Sequence, residues 1–89
     1  NASRGPLVKE RDLVDALLSG QLGGAVLDVF ENEPEVSSEL LTMDNVFLTS
    51  HVGGGTVTSR YQSQQLATKN VLEVLSGRNP LTPVNKLDF

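Results

Sequence analysis

The stretch GAVLDVF, residues 24–30, decides the fold of this 89-residue chain. It is apolar on both sides of an extended backbone and rich in β-branched residues, with one carboxylate at Asp28. Such a run is typical of a strand buried in a parallel sheet, whose two faces are both covered. Because a carboxylate inside such a strand is costly unless it is paired, residues 25–30 predict a buried strand and a polar partner for Asp28.

Periodic segments on both sides of this strand predict an α/β fold. Apolar positions at helical spacing predict a helix over residues 7–19, with Leu13, Val14, Leu17 and Leu18 on its apolar face. Residues 46–49 predict a second strand, preceded by a short helical turn, and a long helix is expected from Thr56 or Thr58 to Ser76. Residues 1–5 read as the end of another strand. So few strands cannot form a sheet covered on both faces, so we expect the carboxyl-terminal piece of a larger protein.

Composition excludes several classes of function. The formal charge of −4 divides into −6 over residues 1–55 and +2 over residues 56–89, which suggests two parts. This acidic balance argues against binding to nucleic acid or to an anionic membrane. The chain has no cysteine, and no apolar run is long enough to cross a bilayer. We therefore expect a cytoplasmic protein without a thiolate metal site.

Four polar residues follow the predicted strands. Arg4 follows the first, Asp28 and Glu33 lie at and beyond the end of the second, and His51 follows the third. The carboxyl ends of parallel strands are where ligands bind, so these residues should converge. The planar guanidinium of an arginine can form two parallel hydrogen bonds with a carboxylate. A histidine whose ring is held by a glutamate can transfer a proton near neutral pH. These parts suit carbonyl reduction, with hydride supplied by a nicotinamide cofactor, since no side chain can donate one.

Other interpretations of these residues remain open. His51 could be a surface or capping residue, and Arg4 an ordinary loop cation. Gly53-Gly54-Gly55 precedes a helix, but it lacks the Lys-Ser/Thr of a phosphate-binding loop and the GxGxxG spacing. The residues between the two predicted strands form an acidic loop, with carboxylates at Glu31, Glu33, Glu35 and Glu39. A metal site built from His51 and this acidic loop is a further alternative, although one histidine with carboxylates is a poor transition-metal set.

Residues 1–5, 24–34, 45–46 and 51–54 closely resemble, in order and spacing, the second half of the D-2-hydroxyacid dehydrogenases. The RGP, EPEV and HVG segments and the Leu-Thr-Pro-Val tail are most similar to the glyoxylate/hydroxypyruvate reductases. The resemblance implies a partial Rossmann-type parallel sheet, formed by the last strands of the dinucleotide-binding domain, plus a long carboxyl-terminal crossover helix. Residues 1–55 would belong to the NAD(P)-binding domain, and residues 56–89 to the substrate domain.

The resemblance also implies roles for individual residues. Arg4 would bind the substrate carboxylate, Glu33 would orient the histidine, and His51 would be the acid/base. Asp28 would bind the nicotinamide carboxamide. The implied cofactor-binding set is Ala2, Ser3, Arg4, Asp28, His51, Val52, Gly53 and Gly54. NAD or NADP would be the cofactor, a small 2-keto or 2-hydroxy acid the substrate, and a homodimer the full-length form.

The chain departs from the family pattern in two ways. Ser50 stands where the family usually has proline, which loosens the turn before His51. The glycine-rich dinucleotide fingerprint is not in this sequence, so we expect the piece to be inactive alone. The alternative is a truncated, non-catalytic remnant that keeps these residues but acts only by packing on another chain.

Overall fold

Two short parallel strands, β1 (Ala25–Leu27) and β2 (Val46–Leu48), form the sheet of the computed structural model, which describes residues 1–85. Their register places Val26 opposite Phe47, with Ala25 opposite Val46 and Leu27 opposite Leu48. Side chains alternate between the two faces of a sheet. Val26 and Phe47 thus share one face and are 66% and 65% exposed, while the other face contributes to the core. The predicted parallel pairing is confirmed, but the sequence wrongly indicated that both sides of the strand are buried.

Residue Asn1 extends the sheet beyond β1. Its amino group donates to the Val26 carbonyl at 2.8 Å, and its carbonyl accepts from the Asp28 N–H at 2.9 Å. In a parallel pair of strands, one residue forms hydrogen bonds with the two residues on either side of its partner, as Asn1 does here with Val26 and Asp28 around Leu27. Residues 1–5 form no regular strand, but Asn1 occupies the position expected of a strand end.

The first helix, α1 (Glu10–Leu18), covers the inner face of the sheet. Leu13, Val14 and Leu17 pack in one core cluster with Leu27, Phe30 and Leu40. The helix is shorter than predicted because Pro6 lies in a separate 3₁₀ turn, Gly5–Leu7, and Lys9 is extended. Leu18 was wrongly placed on the apolar face, since it is 70% exposed.

An acidic loop connects β1 to β2. After Leu27 the chain leaves the strand geometry, so β1 ends earlier than predicted, although Asp28, Val29 and Phe30 are all buried. The loop contains a tight turn in which the Glu35 N–H donates to the Asn32 carbonyl, and it ends in the 3₁₀ turn Leu40–Thr42. These features confirm the predicted loop and short helical turn.

Residues 1–53 form one unit, and residues from Gly54 onward form a second. The second unit contains α2 (Val57–Leu75), which begins where the Thr56 hydroxyl caps the Ser59 N–H and ends before Gly77 in the left-handed region. Both helix ends agree with the prediction. No residue of α2 is buried in the structure of residues 1–85, and no helix in that range is both long and apolar enough to cross a membrane.

Candidate active site

Glu33 and His51 form a hydrogen-bonded pair, although 18 residues separate them. Glu33 lies in the acidic loop and His51 three residues beyond β2, and Glu33 Oε2 is 2.9 Å from His51 Nδ1. Within residues 1–85 no protein group forms a hydrogen bond with Nε2 of this imidazole. One ring nitrogen is therefore held by a carboxylate while the other can face a ligand, which is the arrangement that fixes a histidine tautomer.

The second oxygen of Glu33 anchors its side chain to the backbone. Glu33 Oε1 accepts from the Phe30 N–H at 3.1 Å. The hydrogen bonds from His51 and from the Phe30 N–H lower the pKa of Glu33 from its ordinary value of 4.5. Glu33 is thus a carboxylate at neutral pH, and its Oε2 accepts a hydrogen bond from the Nδ1–H group of His51.

His51 adopts a left-handed backbone conformation, with φ of 56°. This region is uncommon for residues other than glycine and costs on the order of 1 kcal/mol or more, so the surrounding structure must impose it. Asp28 imposes it from the end of β1: its Oδ1 accepts from the Val52 N–H at 2.8 Å, and its Oδ2 accepts from the Gly53 N–H at 2.9 Å. The turn that presents His51 is therefore fixed directly after the imidazole residue, and the exposed Ser50 before it leaves His51 in place.

Asp28 has the polar partners that the sequence demanded. Besides the two backbone groups, the Thr49 hydroxyl donates to Asp28 Oδ1 at 2.6 Å. The hydrogen bonds from Thr49 and from the Val52 N–H lower the pKa of Asp28 from its ordinary value of 3.8. Each carboxylate oxygen can accept two hydrogen bonds, and Oδ2 accepts only one within residues 1–85. Asp28 can therefore accept one further donor, such as an amide N–H.

Arg4 lies near this edge but does not join the Glu33–His51 pair. Its guanidinium donates to the Ser3 carbonyl at 2.7 Å, and within residues 1–85 no hydrogen bond or ion pair connects it to Glu33 or His51. The next residue, Gly5, lies directly against the Phe30 carbonyl, where a Cβ atom would collide with that carbonyl. Because the Phe30 N–H also binds Glu33, the backbone beside Arg4 contacts the segment that anchors Glu33.

Ala2 and Ser3 are exposed and lie beside β1, because Asn1 pairs with that strand. The Ser3 N–H donates to the side chain of Asn1 at 3.1 Å, which forms a tight turn before Arg4. Gly54 is the first residue of the second unit. The structure thus brings Glu33, His51 and Asp28 with its backbone partners together. Arg4 lies next to Gly5, which contacts Phe30, but within residues 1–85 it forms no hydrogen bond or ion pair with them.

A cleft of about 590 Å³ opens beside the paired side chains. Glu33, His51, Thr49 and Ser50 contribute to its wall, and the other lining residues are mostly apolar: Phe30, Pro34, Val36, Leu41, Leu48 and Val52. An apolar cleft with a few convergent polar groups is the usual form of a small-molecule site. Within residues 1–85 no group of three His, Cys, Asp or Glu residues is arranged to hold a metal ion.

Sequence reasoning missed two residues that support this site. The sequence predicts Thr49 only as the last residue of a strand, whereas in the structure its hydroxyl donates to Asp28. Glu10 lies in the predicted helix of residues 7–19 with no role in the site assigned to it, yet it is buried and binds the acidic loop. The signal for Thr49 was its position at a strand end opposite Asp28, whereas no local pattern indicated a partner for Glu10.

Comparison with known proteins identifies the family. Residues 1–53 match the family described as D-isomer specific 2-hydroxyacid dehydrogenase, NAD binding domain. The chain is 50% identical over 84 residues to a glyoxylate/hydroxypyruvate reductase A of Arabidopsis thaliana, covering 94% of this chain and 27% of that protein. It is 51% identical over 84 residues to a hydroxyphenylpyruvate reductase of Plectranthus scutellarioides, with the same coverage. The chain therefore spans about a quarter of the length of these relatives.

Solved structures agree with this identification. An NADPH-dependent glyoxylate/hydroxypyruvate reductase from Sinorhizobium meliloti, in complex with NADP and malonate, superimposes with a TM-score of 0.90 at 44% identity, over 94% of this chain and 26% of that one. The holo form of Rhodotorula graminis D-mandelate dehydrogenase has a TM-score of 0.90 at 40% identity, over 99% of this chain and 26% of that one. These matches confirm the Rossmann-type fold expected from the resemblance. Because the family match covers more than half of its residues, the chain belongs to the D-isomer specific 2-hydroxyacid dehydrogenase family.

Proposed function

We propose that the chain is part of an NAD(P)-dependent D-2-hydroxyacid dehydrogenase that interconverts a small 2-keto acid and the corresponding 2-hydroxy acid, with glyoxylate or hydroxypyruvate as the favoured substrate. The observation that carries this proposal is the Glu33–His51 pair in a chain of this family. His51 Nε2 is available to a substrate oxygen, and His51 Nδ1 is held by the Glu33 carboxylate, which orients the ring.

In this proposal the chain's own side chains position the acid and move the proton. Arg4 binds the substrate carboxylate, because a planar guanidinium can make two parallel hydrogen bonds to it. During reduction His51 Nε2 donates a proton to the carbonyl oxygen, and during oxidation it removes one from the hydroxyl group. Glu33 keeps the ring oriented, so it is a positioning residue.

The cofactor would be held at the Asp28 end of the site. Its nicotinamide, when bound, supplies or accepts the hydride. The remaining acceptor capacity of Asp28 Oδ2 fits a carboxamide N–H. The resemblance to the family implies further cofactor contacts from Ala2, Ser3, Val52, Gly53 and Gly54. The family description names an NAD-binding domain, and the Sinorhizobium meliloti relative was solved with NADP, so NAD or NADP is the expected cofactor.

We assign residues 1–55 to the carboxyl-terminal part of the NAD(P)-binding domain, and residues 56–89 to a crossover helix and tail of the substrate domain. The end of the family match at residue 53 and the division of the chain after Gly53 both support this assignment. Residues 86–89, which complete the tail, lie outside the described range. The homodimer and the cytoplasmic location stay predictions, which sedimentation of the complete protein and cell fractionation would measure.

An aryl-substituted 2-keto acid is a second candidate substrate. The apolar cleft beside His51 supports it, as do the two relatives whose names refer to hydroxyphenylpyruvate and mandelate. Comparison of kcat/KM for glyoxylate, hydroxypyruvate and hydroxyphenylpyruvate with the complete enzyme separates the two candidates. A preference of the enzyme for the aryl acid would overturn the favoured assignment.

The proposal is tested by the variant His51→Asn in the complete enzyme. Loss of a positioned acid/base should lower kcat by about 10²- to 10⁴-fold, measured as NAD(P)H oxidation with glyoxylate. Glu33→Gln should lower kcat as well, while Glu35→Gln, which removes the same charge from the same loop, should leave it near the wild-type value. Near-normal turnover in His51→Asn would remove this residue from the mechanism. A complete wild-type protein that turns over no 2-keto acid would favour the non-catalytic remnant.

A further inference from the structure

The buried carboxylate of Glu10 connects α1 to the acidic loop. Glu10 is the first residue of α1 and is only 8% exposed. Its Oε1 accepts from the Glu31 N–H at 2.8 Å, and its Oε2 accepts from the Ser37 N–H at 3.0 Å and the Ser37 hydroxyl at 2.7 Å. In return, the Glu10 N–H donates to Glu31 Oε2 at 2.9 Å. One side chain thus satisfies donors on two segments that are distant from it in sequence.

The two loop segments that Glu10 binds lie on either side of Glu33. Glu31 precedes Glu33 by two residues, and Ser37 follows it by four. Between them, within residues 1–85, the backbone hydrogen bonds are local: the Glu35 N–H donates to the Asn32 carbonyl, and the Phe30 N–H donates to Glu33. Val36 also packs against the core cluster. Glu10 therefore fixes both ends of the loop to α1, while Glu33 reaches from its middle to His51.

We propose that Glu10 is a positioning residue that holds Glu33 in register with His51 by tying both ends of the acidic loop to α1. The catalytic part of this inference rests on the proposed function, because Glu33 and His51 act on a substrate only there. Glu10 touches neither the substrate nor His51. It acts through the loop.

A carboxylate is required at this position because all of its protein partners are donors. Burial raises the pKa of Glu10, but the hydrogen bonds from the Ser37 hydroxyl and from the N–H groups of Glu31 and Ser37 outweigh burial and lower it from 4.5. Glu10 is therefore ionised at neutral pH. In Glu10→Gln, the amide NH₂ would point at a donor on one of the two segments, so one end of the loop would lose its attachment.

The loop attachment can be measured at His51 without substrate or cofactor. His51 is the single histidine of the 89-residue chain, so ¹⁵N labelling of histidine gives the signals of this ring alone. With Nδ1 bound to Glu33, the neutral ring should carry its proton on Nδ1. In Glu10→Gln we expect the nitrogen shifts to move toward a mixture of both tautomers, because Glu33 no longer stays beside Nδ1.

Matched variants separate positioning from general effects. Asp12→Asn removes the same charge from the exposed side of the same helix turn, and it should leave the His51 signals unchanged. Ser37→Ala removes one donor and keeps both backbone bonds, so it should give a smaller shift in the same direction as Glu10→Gln. Circular dichroism of each variant reports whether the chain is folded. If Glu10→Gln does not fold, Ser37→Ala decides the question.

Kinetics of the complete enzyme provide the second measurement. Glu10→Gln should lower kcat on the order of 10- to 100-fold with little change in KM for the keto acid, because the misplaced group acts on proton transfer and not on substrate binding. Asp12→Asn should leave both constants unchanged. Unchanged His51 signals in folded Glu10→Gln, or in Ser37→Ala where Glu10→Gln fails to fold, would overturn the proposal. If the wild-type enzyme showed no dehydrogenase activity, the proposed function would fail while the nitrogen shifts still decided the role of Glu10.

Discussion

The residues around His51 divide into one that would move a proton and several that hold it in place. Glu33 orients the imidazole ring through a hydrogen bond to Nδ1, whereas Asp28 fixes the backbone immediately after His51 by accepting two N–H groups. Both carboxylates are ionised, and both are held by backbone N–H groups, so neither depends on a flexible cation for its position. Arg4 differs, because its guanidinium is exposed and binds only its neighbour's carbonyl within the described residues. It is therefore free to turn toward a substrate carboxylate.

At Arg4, the contribution of the positive charge to keto-acid binding can be separated from that of the planar guanidinium. In the complete enzyme Arg4→Lys keeps the charge but replaces the planar fork by a point charge, so KM for the keto acid should rise by about 10-fold or more, corresponding to a lost charge-assisted bond of about 1.5 kcal/mol. Steady-state kinetics with glyoxylate measure this effect, and Arg11→Lys, on the exposed side of α1, is the control. An unchanged KM in Arg4→Lys would contradict the proposed role of Arg4 in carboxylate binding.

At the scale of elements, short strands and loops position the site, while the helices contribute little to it directly. Each of β1 and β2 has only three residues, yet parallel pairing places Asp28 and Thr49 side by side at the strand ends. The segment before α1 is held to the same edge by the contact of Gly5 with the Phe30 carbonyl. A side chain at residue 5 would therefore separate the Arg4 segment from the loop that carries Glu33.

The variant Gly5→Ala tests this contact. The added Cβ would meet backbone atoms of Phe30, which cannot rotate away, so we expect a loss of about 1 to 3 kcal/mol in the free energy of unfolding. Urea denaturation of the 89-residue chain measures it. Gly23→Ala is the matched control, because a Cβ there meets no atom within 4 Å. Equal stability of the two variants would contradict the close packing at Gly5.

The sequence predicted those parts of the site that follow from strand order. The local pattern placed Asp28, Glu33 and His51 at or beyond the ends of predicted strands. The pairing of Glu33 with His51 could be predicted because a carboxylate can accept a hydrogen bond from one ring nitrogen of a histidine. The role of Glu10 could not be predicted, since its partners lie 21 and 27 residues away and depend on how the loop folds back. Likewise, the exposure of Val26 and Leu18 depends on which surfaces are covered, and an apolar residue looks the same in a covered and in an uncovered position.

At the scale of the whole molecule, acid should destabilise the chain. Glu10, Asp28, Glu33 and Glu73 all have lowered pKa values in the folded state. A lowered folded pKa contributes stability above the unfolded pKa, which is 3.8 for the aspartate and 4.5 for the glutamates, and this stability is lost as the pH falls through the folded value. We therefore expect the urea midpoint to be constant near neutral pH and to fall steadily below about pH 5.

Urea titrations of the 89-residue chain between pH 7 and its acid limit measure this dependence. The variant Glu33→Gln removes one of the four groups, so its midpoint should fall less steeply with acid than that of the wild type. A midpoint that stays level or rises below about pH 5 would show that these carboxylates are not more acidic in the folded chain.

Asp28 connects the end of β1 to the backbone that follows His51. Its Oδ2 accepts the Gly53 N–H and can accept one further donor, and its Oδ1 accepts the Val52 N–H directly after the imidazole residue. Under the proposed function, a nicotinamide carboxamide that binds Oδ2 would share this acceptor with the backbone directly after His51. If such binding changes the affinity of the imidazole for the keto acid, the keto acid must change the affinity for the cofactor by the same factor. The proposed function therefore predicts that cofactor binding and keto-acid binding are coupled through a single carboxylate.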